Sequence, residues 1–318
     1  MAIDGSTAVL PKHQSVIAKF GTTNFGPYAD SPRSVARTSI LYDVLNLTAI
    51  DAQIDTYDTS ERVLAHKHFE FTNRNTDLIL FDRGYPSLPM MFEMQQKGIH
   101  FLIRMRENWW TEVRQMIEKG ETDKEVTFKL GAKDKKDLFK KYHTNNDKIK
   151  CRLVVIELAD GKKEVLCTTV LDKNALSYKD FGELYHQRWA IEEGYKLLKC
   201  RIHLEAFSGK TALAVEQDFY AKIFMMTTAA VLAFPVSEKI RTESEHSTRK
   251  HSYKINRVNA LSMTKEVLIT IFIKKIIQPA LDAFDKIIQK TTEIIRPNRT
   301  FPRKKIKKKP PNINYKNL

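Results

Sequence analysis

Cysteine is scarce: Cys151, Cys167 and Cys200 are the only three in 318 residues, too few and too widely spaced for a disulfide framework or a zinc site. Reduced thiols in a cytosolic setting are the expectation. The opening residues, MAIDGSTAVLP, lack the basic and apolar regions of a signal peptide. The most apolar stretch, Ile223 to Val236, is too short to span a bilayer and reads as a buried helix. No internal repeat is present, which excludes solenoids and propellers. A soluble, intracellular chain is therefore expected. Acidic residues are also in deficit, 38 against 53 Lys and Arg, giving +15. Such an excess favours a polyanionic partner, either nucleic acid or an acidic membrane surface, and composition does not choose between them. The deficit is extreme in residues 301–318, which hold seven cations (Arg303, Lys304, Lys305, Lys307, Lys308, Lys309 and Lys316) and no acid. With Pro302, Pro310 and Pro311 among them, these residues read as a solvated, disordered tail that can also act as a phosphate-contacting arm.

What is present suffices for a core. Apolar residues make up 42% of the chain, enough for one large domain with an insertion or for two modest ones. Residues 39–47 (SILYDVLNL) read as a strand or two, and a helix follows, with Asp58 and Glu61 in a capping-box arrangement. Residues 77–82 (DLILFD) suit a short strand covered on both faces. Residues 88–97 read as a helix ending at Gly98, and residues 100–105 (HFLIRM) again as a strand. This alternation argues for an α/β sheet. Beyond Trp109 the character changes to a β-rich insertion, with strands expected at 126–130, 149–158 and 163–171, a turn at Asp160-Gly161 and a Lys-rich loop at 133–141. A long helix is expected from about Ser177 to Lys199, and from Gln217 the chain reads as mostly helical.

The chemistry-bearing segment is YHQRWAIEEGYKLLK, residues 185–199. On one continuous helix, Tyr185, Arg188, Glu192 and Lys199 fall within an arc of about 60°, beside an apolar stripe of Leu184, Ile191, Tyr195 and Leu198. Arg and Lys suit phosphate contacts, and Glu can hold a hard cation. The same spacing also fits an exposed helix laced by pairs such as Glu192 with Lys196.

The pattern Y-x2-R-x3-E-x6-K resembles the signature of a large group of bacterial cut-and-paste insertion-sequence transposases of the DDE class. Asp82-Arg83-Gly84-Tyr85 after an apolar strand is similar to that group's second acidic motif, and Asp4-Gly5-Ser6 followed by Leu10-Pro11 looks like its first. Residues 204–210 (LEAFSGK) and 217–221 (QDFYA) are similar to stretches that follow the signature helix, so the resemblance covers roughly residues 2–235. It implies a ribonuclease-H-like fold in which Asp4 ends the first strand, Asp82 follows a neighbouring strand and Glu192 sits on a helix across from both. It implies that these three acids are catalytic and bind two Mg²⁺ ions, with Mn²⁺ able to substitute, for in-line phosphoryl transfer. Tyr185, Arg188 and Lys199 would then contact DNA. The implied partner is double-stranded DNA at element ends and targets, handled by a homodimer on paired ends, cytoplasmic and nucleoid-associated, with no membrane role. On this reading residues 1–105 and 176–235 form the catalytic core, 106–175 the insertion, 236–300 a helical C-terminal region and 301–318 the basic tail. Trp109, Trp110 and Trp189 are candidates either for core packing or for holding a base turned out of the duplex.

One departure stands out. Members of the group carry an N-terminal helical domain that recognises terminal repeats, whereas only Met1 to Ile3 precede Asp4. The expectation is an N-terminally truncated chain whose first strand is cut short. The rival reading is a catalytically silent DNA-binding or interaction protein, and a stand-alone nuclease of the same fold is a further alternative.

Overall fold

The computed structural model describes residues 1–24, 32–108, 110–158 and 161–296. The expectations for Trp109, for Asp160 and for the tail at 301–318 lie outside these residues. The chain begins with β1 (Ala2–Val9), α1 (Gln14–Phe20), β2 (Val35–Asp43) and β3 (Thr48–Thr56), followed by α2 (Glu61–His68), β4 (Leu78–Phe81), α3 (Leu88–Gln96) and β5 (His100–Met105). Then come α4 (Thr111–Glu118), β6 (Asp123–Lys129), α5 (Ala132–Tyr142), β7 (Lys148–Glu157) and β8 (Lys163–Thr168). After β8 come α6 (Phe181–His186), α7 (Trp189–Cys200), α8 (Ala212–Glu245), β9 (Tyr253–Ile255), α9 (Arg257–Phe272), α10 (Gln278–Lys290) and β10 (Thr292–Ile294).

Eight strands form one sheet in the order β3-β2-β1-β4-β5-β8-β7-β6. The first five make the ribonuclease-H-like α/β core. In it β1 pairs parallel with β4, and β4 with β5, so the intervening chain must cross over a face of the sheet, which α2 and α3 help to do. Strands β8, β7 and β6 add on antiparallel beyond β5. The segment expected as an insertion thus continues the same sheet.

The chain divides into two compact units: residues 1–7, 37–45 and 50–193, and residues 8–36, 46–49 and 194–318. In the first, buried Ile3, Leu41, Ile79, Phe81, Phe101, Ile103, Leu153 and Val165 of the sheet pack with Ala65 of α2, Met90, Met91 and Met94 of α3, Val113 and Met116 of α4 and Leu138 of α5. Each such side chain contributes roughly 1.5–3 kcal/mol on burial. In the second, Ala233, Val236 and Ile240 of α8 pack with Ile255, with Ala260 and Val267 of α9, and with Phe284 and Ile288 of α10. There β9 and β10 form a two-stranded antiparallel ribbon.

Local chemistry explains most boundaries. Ser87 caps α3 by accepting from the Met90 amide, and Gly98 ends the turn after it at φ +68°. Thr211 caps α8 through the Ala214 amide. The α2 cap is Ser60, accepting from the Val63 amide, and not Asp58. Four further expectations are corrected. Strand β1 does not end at Asp4 but runs eight residues to Val9, with the Met1 amino group on the Leu78 carbonyl at 2.8 Å. Residues 133–141 are not a loop but most of α5, whose single buried residue, Leu138, is enough to seat a short amphipathic helix. The helix expected over 177–199 is broken: α6 and α7 meet at Gln187-Arg188, where amides 188, 190 and 191 bond back three residues, tightening the chain into a 3₁₀-like turn. Finally, α8 carries the apolar stretch 223–236, yet Tyr220, Phe224, Val231 and Phe234 are exposed. By length and apolarity α8 could cross a membrane, although Lys222 within it is buried and donates to the carbonyls of Leu204 and Ala206.

Candidate active site

The parallel register sets Ala2 opposite Leu80. Two residues further along each chain, this brings Asp4 level with Asp82 on the same side of the sheet, at a strand spacing of about 4.8 Å. Each acid is fixed by a backbone amide from a following glycine: Gly5 N donates to Asp4 Oδ1 and Gly84 N to Asp82 Oδ1, both at 2.8 Å. A side chain at either glycine would press on a neighbouring acidic side chain, which would have to shift. A Cβ at Gly5 would lie 2.8 Å from Glu61 Cδ, and one at Gly84 3.0 Å from Asp82 Oδ1. Beneath β1, the Ser39 hydroxyl points to the Asp4 carbonyl at 3.4 Å and sits 2.9 Å from His68 Nε2, while His68 Nδ1–H donates to Asp51 at 2.6 Å. Ser39 is fully buried, so this Ser-His-Asp chain supports a strand and is closed to any substrate.

Glu192 reaches the same neighbourhood from α7. Its Oε1 accepts from Arg188 Nη2 at 2.7 Å. Charge coupling joins the acids. Burial pushes the Asp4 carboxyl up to about 7, the Gly5 amide and Arg188 lower it, and the negative charges of Asp82 and Glu192 raise it further. Among the described residues no group of three His, Cys, Asp or Glu side chains is disposed to hold a metal ion. Asp4, Asp82 and Glu192 thus act on one another through charge without forming a closed ligand set, although carboxylate oxygen is the donor type that a hard divalent cation takes.

The break at 187–188 interrupts the helix, yet Tyr185, Arg188 and Glu192 remain neighbours, with the first two buried. Tyr185 is buried, its hydroxyl donating at 3.2 Å to the Phe81 carbonyl, the residue before Asp82, and burial raises its pKa to about 12. Arg188 is also buried, with its guanidinium 5.7 Å from the Tyr185 ring and 5.5 Å from the Trp189 ring, and its Nε lacks a hydrogen-bond partner. Lys199 lies half-buried in the last turn of α7. Trp110 packs edge-on against Phe128 at 5.1 Å, which settles it as a packing residue, whereas Trp189 is 43% exposed.

Sequence reasoning missed a cleft of about 270 Å³ lined by Arg83, Arg104, Arg106 and Lys163, with Glu107, Asn108 and Glu164. Arg104 is tied to Glu164 at 2.7 Å. Arg83 adjoins Asp82, and Arg104 and Arg106 are two residues apart at the end of β5, the period that puts both on one face. That spacing was the available signal.

An α/β sheet in ribonuclease-H-like order, bearing one carboxylate within β1, one just past the end of the neighbouring β4 and one on a following helix, defines the class to which this architecture belongs. Its family follows from comparison: a family model described as the transposase DDE domain matches residues 1–228, and the chain belongs to that family. It is 28% identical over 196 residues to the transposase InsG for insertion sequence element IS4 of Escherichia coli (strain K12), an alignment covering 60% of this chain and 42% of that protein. The chain thus spans less than half the length of that relative. A cryo-EM structure of the piggyBac transposase synaptic complex with hairpin DNA matches with a TM-score of 0.49 at 10% identity, over 90% of this chain and 56% of that one.

Proposed function

We propose that the chain carries the catalytic part of an insertion-sequence transposase, performing metal-dependent strand cleavage and strand transfer on double-stranded DNA, with Asp4, Asp82 and Glu192 as the catalytic carboxylates. The observation that carries this reading is geometric: in a chain of the transposase DDE family, the β1–β4 register brings Asp4 beside Asp82, and Glu192 is near enough to add its charge to theirs, a crowding of acids that a bound cation would relieve. Two Mg²⁺ ions, or Mn²⁺, held by these acids would supply activation of water or a 3′-hydroxyl and neutralisation of the leaving oxygen.

The protein's own part is placement. Gly5 and Gly84 aim the two aspartates. Arg188 holds Glu192 through Nη2, and its buried Nε, which lacks a partner, would have capacity for one further acceptor. Tyr185, assigned to DNA by the family signature, serves instead to pin α6 to the end of β4. Lys199 and the cations of the Arg83–Arg106 cleft would track the DNA backbone. A homodimer on paired ends in a bacterial cytoplasm completes the reading. Mn²⁺ titration of the chain tests it: saturable binding at neutral pH, lost in Asp82→Asn and Glu192→Ala, is expected. Binding that persists in both variants would overturn the assignment.

A further inference from the structure

Among the described residues the largest fully buried side chain is Arg152, in the middle of β7. An arginine there is costly unless each nitrogen is engaged, and here each is. Nε and Nη2 grip the two carboxylate oxygens of Asp123 at 2.9 and 2.8 Å, and Nη1 donates to the Leu176 carbonyl at 2.7 Å. The guanidinium lies 5.0 Å from the centre of the Phe181 ring, itself fully buried. A second tie runs alongside, from the Tyr178 hydroxyl to the Val155 carbonyl at 2.8 Å. Leu176, Tyr178 and Phe181 lie on the stretch that leaves β8 and enters α6, where a single 3₁₀ turn at Tyr178–Asp180 is the only regular structure before the helix.

We infer that Arg152 is a positioning residue for the candidate site: the insertion, through this clamp, sets where α6 and α7 begin and so where Glu192 stands. The inference rests on the reading of Glu192 as a metal ligand. The geometry suits a guanidinium alone. A lysine could retain the charge pair with Asp123, but it has no planar fork with which to bond Leu176 and stack on Phe181 at once. Downstream, the Tyr185 hydroxyl on the Phe81 carbonyl is the other fixed point, so α6 is held at both ends and its angle determines the entry to α7.

The test uses the full chain, with Mn²⁺ binding followed by electron paramagnetic resonance of the free ion and backbone hydrogen exchange followed by mass spectrometry. Arg152→Lys is expected to keep wild-type circular dichroism and unchanged exchange in β4 and β5. It should speed exchange across residues 176–192 and weaken Mn²⁺ binding by about tenfold, the low end of the effect of losing a direct partner of a ligand, because Arg152 acts on Glu192 only through α6. Phe181→Leu, which leaves the Arg152–Asp123 pair whole, should move both readouts the same way and serves if the lysine variant does not fold. Unchanged exchange and affinity in these variants, with Glu192→Ala abolishing binding, would overturn the role of Arg152. If Glu192→Ala leaves Mn²⁺ binding intact, the reading of the metal site fails instead, and the exchange data alone judge the clamp.

Discussion

Two acids illustrate how surroundings assign opposite roles to one chemical group. Asp4 has its pKa raised to about 7 by burial and by Asp82 and Glu192. A raised acid leaves stability intact below the unfolded value near 3.8 and removes it as pH climbs through the folded value. Metal-free protein should therefore lose thermal stability between about pH 4 and 7. Asp4→Asn should flatten that slope and raise the melting temperature at pH 8, and a scan at pH 5 and pH 8 checks both. Mg²⁺ should restore the wild type at pH 8 and leave the variant unmoved. Glu93, buried on α3, shows the reverse. Burial alone would raise it, but hydrogen bonds from His66 and Lys141 outweigh that and hold it at about 2. Its contribution is present above the unfolded value near 4.5 and is lost as pH falls through about 2. Glu93→Gln should cost about 2 kcal/mol at pH 7, typical of hydrogen bonds to charged groups, and much less in strong acid. Urea unfolding at two pH values measures the difference, and a loss that did not change with pH would contradict this account.

At the scale of elements, Tyr185 joins α6 to β4 by one buried bond to the Phe81 carbonyl. Tyr185→Phe should cost about 1 kcal/mol in chemical denaturation, because a buried carbonyl loses its donor, and a stability equal to the wild type would show the bond to be idle. Elements differ in how plainly they are written. Strands β4 and β5 and helix α3 were legible, since each is an apolar run bounded by acids, a serine cap or Gly98. Strand β3 was not: TAIDAQIDT lies at the sheet's edge with only Ala52 buried, so few apolar residues are needed. Helix α5 hid for a related reason, with five lysines and two aspartates surrounding a single buried leucine. The break before Trp189 was invisible because a 3₁₀ turn needs neither Gly nor Pro. Hence Glu192 was legible as a candidate, while the burial of Tyr185 and Arg188 was not. The Arg152 clamp lay beyond reach too, since its partners are 29 and 24 residues away along the chain.

For the molecule as a whole the governing quantity is charge. Under the proposed function, a net +15 would draw the chain to DNA whatever the base sequence, because each phosphate neutralised releases condensed counterions. Binding to duplex DNA should therefore fall steeply with salt, the slope of log K against log salt counting the contacts at about 0.9 per phosphate. The cleft beside Asp82 gives this prediction an address. Arg83 is exposed at its edge, next to a residue proposed as a metal ligand, and an exposed cation contributes little to folding. Arg83→Ala should leave the melting temperature within about a degree of the wild type while lowering the magnitude of the salt slope by about one unit. Fluorescence anisotropy on a labelled duplex at four salt concentrations measures it. A variant with weaker affinity but an unchanged slope would mean that Arg83 acts through the shape of the Asp82 turn. An unchanged affinity would place the DNA path on another face of the molecule.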